Sequence, residues 1–116
     1  MPSLEEALAD LLTAPGITGA TLADAVTGLV YAEAGDTHAG DDAHDITMLA
    51  GNRLNRAGFE GDVESVIVST RQEHQVILRI ERQGDPLLLS TTVDRSRTNV
   101  AWALQDLTQR ADTLLT

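Results

Sequence analysis

Between Val63 and Val93, three apolar runs of strand length follow one another with almost nothing between them. Val63–Thr70 carries Val66-Ile67-Val68, apolar toward both faces of a sheet. Gln75–Arg82 alternates, with Val76, Leu78 and Ile80 on one side and Ile77, Arg79 and Glu81 on the other. Pro86–Val93 carries Leu87-Leu88-Leu89. The connections Arg71–His74 and Gln83–Asp85 are of hairpin length, so the three runs predict an antiparallel meander, with His74 in an exposed turn.

The segments around this meander read as helices and one further hairpin. Ser3-Leu4-Glu5-Glu6 has the form of a capping box, and Leu4, Ala7, Leu8, Leu11 and Leu12 then recur at helical spacing until Pro15-Gly16. Ile17–Asp24 and Leu29–Ala34 flank the short connection Asp24-Ala25-Val26-Thr27-Gly28 and predict a hairpin. Gly35–Asp42 is small and polar, hence a loop. A second helix follows from roughly Asp42 to Ala57. Asp41, Asp42 and Asp45 stand at its start, Arg53 and Arg56 at its end, and Gly58 in the position of a left-handed cap. Its expected core stripe is Ile46, Leu49, Ala50, Leu54 and Ala57. The last helix spans about Thr98 to Leu114, lined by Val100, Ala103, Leu104, Leu107, Ala111 and Leu114. The order α-β-β-α-β-β-β-α predicts an α+β layered domain over residues 1–116, with helices covering both faces of a five-stranded antiparallel sheet.

Composition excludes several classes of function. The 116 residues include eight Arg, no Lys, eighteen acids and no Cys, for a net charge of −10. Clustered cations for a nucleic-acid surface are missing, as are the Lys of Schiff-base and Walker-type phosphate chemistry and the thiolates of zinc or iron–sulfur sites. Gly16-Ile17-Thr18-Gly19 precedes a strand rather than a helix, so any bound nucleotide belongs to a partner. No stretch reaches the roughly 18 apolar residues of a membrane span, and Glu5, Glu6 and Asp10 interrupt any signal-peptide core. The expectation is a cytoplasmic chain with no membrane insertion. The charge is also uneven: nine acids fall between Glu5 and Asp45, and no Arg occurs before Arg53.

Three local patterns bring a family into view. They are Pro15-Gly16-Ile17-Thr18-Gly19-Ala20 leading into the first strand, Asp24-Ala25-Val26-Thr27-Gly28 in the first hairpin, and Val93-Asp94-Arg95-Ser96-Arg97-Thr98-Asn99-Val100-Ala101 entering the last helix. With the element order, these resemble the roadblock/dynein light-chain family, in its bacterial MglB-like branch, over essentially the whole chain. The resemblance implies a non-catalytic homodimer without cofactors and with sheet order 2-1-5-4-3. It further implies that helix two and strand three of two protomers meet to form one ten-stranded sheet. Family members bind small Ras-like GTPases as regulators or scaffolds, and some are encoded beside a sensor-kinase-like protein.

On that reading the dimer interface comprises Met48, Asn52 and Asn55 on helix two with Val66, Ile67 and Val68 on strand three. Arg53 and Arg56 become partner-binding candidates. The residues supply one independent support, because an edge strand apolar on both faces, with Glu64 as its one gatekeeper, aggregates unless paired. Trp102 points away from the stripe of the last helix and is a third partner-binding candidate, since Trp is a preferred interface anchor; packing under a loop or against helix one is the alternative.

Two other classes of function stay open. A ligand-binding sensory module of the PAS or profilin-like kind also layers helices on an antiparallel sheet, although three aromatic residues make a poor aromatic-lined pocket. A small metal-dependent enzyme would rest on His38, Asp41, Asp42, His44 and Asp45, which lack a recognised ligand spacing and read more simply as a solvated acidic loop.

Overall fold

The computed structural model describes residues 3–36 and 42–114. Eight elements follow in the expected order: α1 (Leu4–Leu11), β1 (Ile17–Asp24), β2 (Val30–Gly35), α2 (Ala43–Arg56), β3 (Ser65–Ser69), β4 (Glu73–Ile80), β5 (Leu87–Asp94) and α3 (Val100–Leu114). The strands form one antiparallel sheet in the order β2-β1-β5-β4-β3, the order implied by the family resemblance. Three hairpins and the β1–β5 pairing generate it, and β3 is left as an edge strand beside β4.

Helix ends follow local chemistry. Ser3 Oγ accepts the Glu6 amide at 3.2 Å and starts α1. At the end of α2, Gly58 adopts φ +93°; its amide donates to the Asn55 carbonyl and that of Phe59 to the Leu54 carbonyl, the paired bonds of a Schellman cap. The Asp42 side chain, by contrast, makes no capping bond at the start of α2. Asn99 supplies the cap of α3, its Oδ1 accepting the Trp102 amide at 2.8 Å, so that helix begins two residues later than its sequence suggests.

The two faces of the sheet are unequal. On one face α1 and α3 bury a large apolar cluster built from Leu8, Leu11, Ile17, Leu22, Val76, Leu78, Leu87, Leu89, Val93 and Leu107 with smaller neighbours. On the other, α2 buries only Ala43 against Ile77 and Leu88, with Ala25, Ile46 and Val66 packed beside them. Strand alternation explains the difference. Thr21, Gln75, Ser90 and Thr92 occupy the centre of the α2 face, all buried, and Gln75, Ser90 and Thr92 bond to one another there. Gln75 Nε2 donates to Ser90 Oγ at 2.5 Å, and Thr92 Oγ1 donates to Gln75 Oε1 at 2.9 Å. Apolar purchase for α2 is confined to the end of the face where Ile77, Leu88 and Val66 lie.

Two sequence expectations are corrected here. Leu49, Leu54 and Ala57 of the expected α2 stripe are exposed, and Ala50 is only partly buried, because a largely polar sheet face gives them nothing to pack against. His74 is not in an exposed turn. The β3–β4 hairpin closes at Thr70–Gln72, so β4 begins at Glu73 and His74 is buried within it, paired across the ladder with Ser69. Close approach also fixes Gly19. A Cβ there would lie 1.5 Å from the Asp36 carbonyl oxygen, which accounts for this glycine in the pattern leading into β1.

Candidate interaction surface

α2 turns two distinct faces to solvent. At 100° per residue, Met48, Asn52 and Asn55 share one arc on the side away from the sheet. Leu49, Arg53 and Arg56 share the adjoining arc, all exposed. Leu49 is 60% exposed, and Phe59, just past the Schellman cap, is 64% exposed. Leu54 and Phe59 line an open cleft of about 350 Å³ between the end of α2 and the segment Glu60–Ser65 that leads into β3. An α2 so lightly docked, with Leu and Phe side chains in water, is an unpartnered apolar surface.

This surface continues onto β3. Strand alternation directs Val66 and Val68 to the α2 side and Ile67 to the α3 side. Val66 is partly covered, whereas Ile67 and Val68 are exposed. Among the described residues the outer edge of β3 carries no strand partner, so its backbone groups and its valines present a template for another strand. The six residues expected at a dimer interface therefore lie on two adjacent elements. Leu49, Leu54 and Phe59 are exposed beside them, although Leu49 and Leu54 fit a core stripe at helical spacing.

The three partner-binding candidates do not converge. Arg53 and Arg56 lie on α2, while Trp102, 43% exposed, lies on α3 across the sheet. Trp102 thus stands clear of the core, as its position on the helical wheel predicts.

Of the metal-site candidates, His38 and Asp41 lie outside the described residues. His44 Nε2 is 3.0 Å from the Val26 carbonyl and its Nδ1 is 3.6 Å from Asp45, which ties α2 to the first hairpin. Among the described residues no group of three or more His or acidic residues is placed to hold a metal ion.

That hairpin is organised by Asp24. Its carboxylate accepts the amides of Val26 at 2.7 Å and Thr27 at 2.9 Å, and the Tyr31 hydroxyl at 3.1 Å. The Thr27 and Val26 amides, more than the hydroxyl, hold its pKa below the usual carboxylate range. Asp94 repeats the device before α3: the hydroxyl and amide of Ser96, with the charge of Arg97, lower its pKa. Among the described residues, no helix is long and apolar enough to cross a membrane.

Fold and surface together define a class: an α+β layered protein that leaves apolar side chains of its second helix and third strand exposed. No protein-family model matches the sequence, and comparison with curated proteins finds no match either. Solved structures do match. A roadblock/LC7 domain from Streptomyces avermitilis superposes with a TM-score of 0.78 at 19% identity, over 97% of this chain and 95% of that one. Myxococcus xanthus MglB gives 0.78 at 13%, over 96% of this chain and 90% of that one. An MglB in a tetrameric arrangement gives 0.74 at 15%, over 98% and 89%. The chain has the roadblock/LC7 fold, shared with bacterial MglB proteins over nearly its whole length.

Proposed function

We propose that this chain is a non-catalytic, homodimeric adaptor or regulator of a small Ras-like GTPase in bacterial signalling. The observation that carries the reading is the uncovered apolar surface of α2 and β3, ending in an unpaired edge strand, on a fold shared with MglB proteins. Two protomers pair β3 with β3 across a two-fold axis and bring Met48, Asn52 and Asn55 together with Val66, Ile67 and Val68. Leu49, Leu54 and Phe59 enlarge that seam. The tetrameric arrangement of one MglB is the precedent for assembly beyond the dimer. A sensor-kinase-like protein is a further candidate partner.

Nothing in the chemistry of the surface performs a reaction, and the GTP belongs to the partner. Such a regulator acts by binding one conformation of the partner's switch segments better than the other. Arg53 and Arg56 contact the GTPase through charge and Trp102 as an anchor; an arginine finger inserted into the nucleotide site is the contrasting mechanism. The test is capture of Ras-like GTPases on the immobilised protein, from lysate of the source bacterium loaded with GDP or a non-hydrolysable GTP analogue. The reading expects retention of a GTPase that depends on which nucleotide is bound, and retention of none in either state contradicts it. With that GTPase in hand, Arg53→Ala/Arg56→Ala raises the concentration needed for any stimulated hydrolysis but leaves the rate at saturation intact if no finger operates.

A further inference from the structure

Away from α2 and β3, the start of β4 and the β5–α3 connection frame an open cleft of about 580 Å³, lined by His74 and by residues 95–100. Two of the chain's eight Arg residues and one of its three His residues converge there, and no acid lines it, although acids outnumber Arg eighteen to eight in the chain. Arg95 Nη1 donates to the Thr70 carbonyl at 2.6 Å, which anchors the guanidinium and leaves its other N–H groups available. The Arg97 side chain has no hydrogen bond among the described residues.

His74 is 8% exposed and lies on the α3 side of the sheet, where its Nδ1 is 2.6 Å from Ser69 Oγ. Its Nε2 has no partner among the described residues. No buried side-chain nitrogen or oxygen in them lacks a partner, so Nε2 is the ring atom that opens on the cleft. The fourth wall is the start of the 15-residue α3. Asn99 takes the Trp102 and Ala103 amides, leaving those of Val100 and Ala101 as the free donors of the first turn. The nearest acids, Glu73 and Asp94, fall on the opposite side of the sheet by strand alternation; Asp94 takes the amide and hydroxyl of Ser96 and feels the charge of Arg97, which leaves the two guanidinium charges in excess of this one carboxylate.

We propose that this cleft binds a phosphate group. Two guanidinium forks carry the positive charge, the helix start adds backbone donors, and the His74 ring adds an Nε2–H donor when Ser69 donates to Nδ1, together more than a carboxylate can use. They suit the three acceptor oxygens of a phosphate or phosphate monoester. The group is either free phosphate or the phosphate of a phosphorylated serine side chain.

The experiment is an NMR titration of the full chain with inorganic phosphate, O-phosphoserine and acetate at matched ionic strength. The expected result is saturable shifts confined to residues 95–101 and the His74 ring nitrogens, half-complete at roughly 1–10 mM phosphate, with none from acetate. Arg95→Ala/Arg97→Ala weakens binding about tenfold or more, whereas Arg53→Ala/Arg56→Ala, the same loss of charge on α2, leaves it unchanged. Should the first double variant lose its folded spectrum, Arg97→Ala alone serves, since that side chain makes no hydrogen bond among the described residues and touches the fold through its charge near Asp94. Tighter binding of O-phosphoserine supports a phosphorylated partner as the source, and equal binding supports free phosphate. Absence of saturable shifts, equal shifts from acetate, or equal weakening by both double variants overturns the proposal.

Discussion

Asp24 shows how one residue sets the shape of the first hairpin. Its carboxylate replaces the water that the Val26 and Thr27 amides would otherwise bind, and it also holds the Tyr31 hydroxyl. Each of these bonds favours the charged form, so the folded-state pKa lies below that of the unfolded chain. The stabilisation is therefore present above the unfolded value of about 4 and is lost as pH falls through the lower folded value. Asp24→Asn keeps the amide contacts but not the charge. It should unfold at lower urea than the parent at pH 7, and the two midpoints should converge below about pH 4. The same measurement at fixed pH across salt concentrations separates this local effect from the general repulsion of a chain carrying −10.

At the scale of elements, the second helix is where physical expectation and structure part company. Its ends and its Gly58 cap are legible, because a C-terminal cap depends on residues within a turn of one another, whereas the acids at its start supply no capping bond from Asp42. Which face it buries depends instead on what the sheet presents, and the hydroxyls and amide of Ser90, Thr92 and Gln75 come from strands distant in sequence. Helical spacing alone does not distinguish a stripe facing a core from one left exposed, so Leu49 and Leu54 fit a core stripe that the sheet does not cover. His74 was misread for a similar reason: a tighter turn shifts a strand boundary by two residues, and the turn residues Arg71 and Gln72 carry no strong type signal. The meander, the first hairpin and the stripe of α3 were legible because each pattern repeats over several residues. A comparison of variants tests the distinction. Leu107→Ala, in the α1–α3 core, should cost about 2–5 kcal/mol in chemical denaturation. Leu49→Asp should leave the unfolding free energy of the isolated protomer within about 0.5 kcal/mol while abolishing self-association.

Over the whole molecule, the uneven charge of the sequence becomes a polarity along the sheet. Glu5, Glu6 and Asp10 on α1 and Glu33 on β2 are exposed near the β2 edge, while Arg53 and Arg56 are exposed on α2 with Met48 and Leu49, toward the β3 edge where Glu60, Asp62 and Glu64 are the exposed acids. Joining two protomers at β3 keeps their acidic ends far apart, the arrangement that a strongly anionic chain favours electrostatically. The acidic end is then free for a basic partner surface, and affinity for that partner should fall as salt rises from about 50 to 500 mM. Salt-independent affinity, read by calorimetry, would count against that orientation. The central claim, that α2 and β3 are covered by a second copy of the chain, is tested most directly by molecular mass in solution. Multi-angle light scattering at micromolar concentration should give twice the 12.4 kDa of one chain, or a multiple of that dimer mass, for the parent protein, and 12.4 kDa for Val68→Asp. A parent protein that runs at 12.4 kDa, its edge strand and Leu49 left in water, would contradict the account.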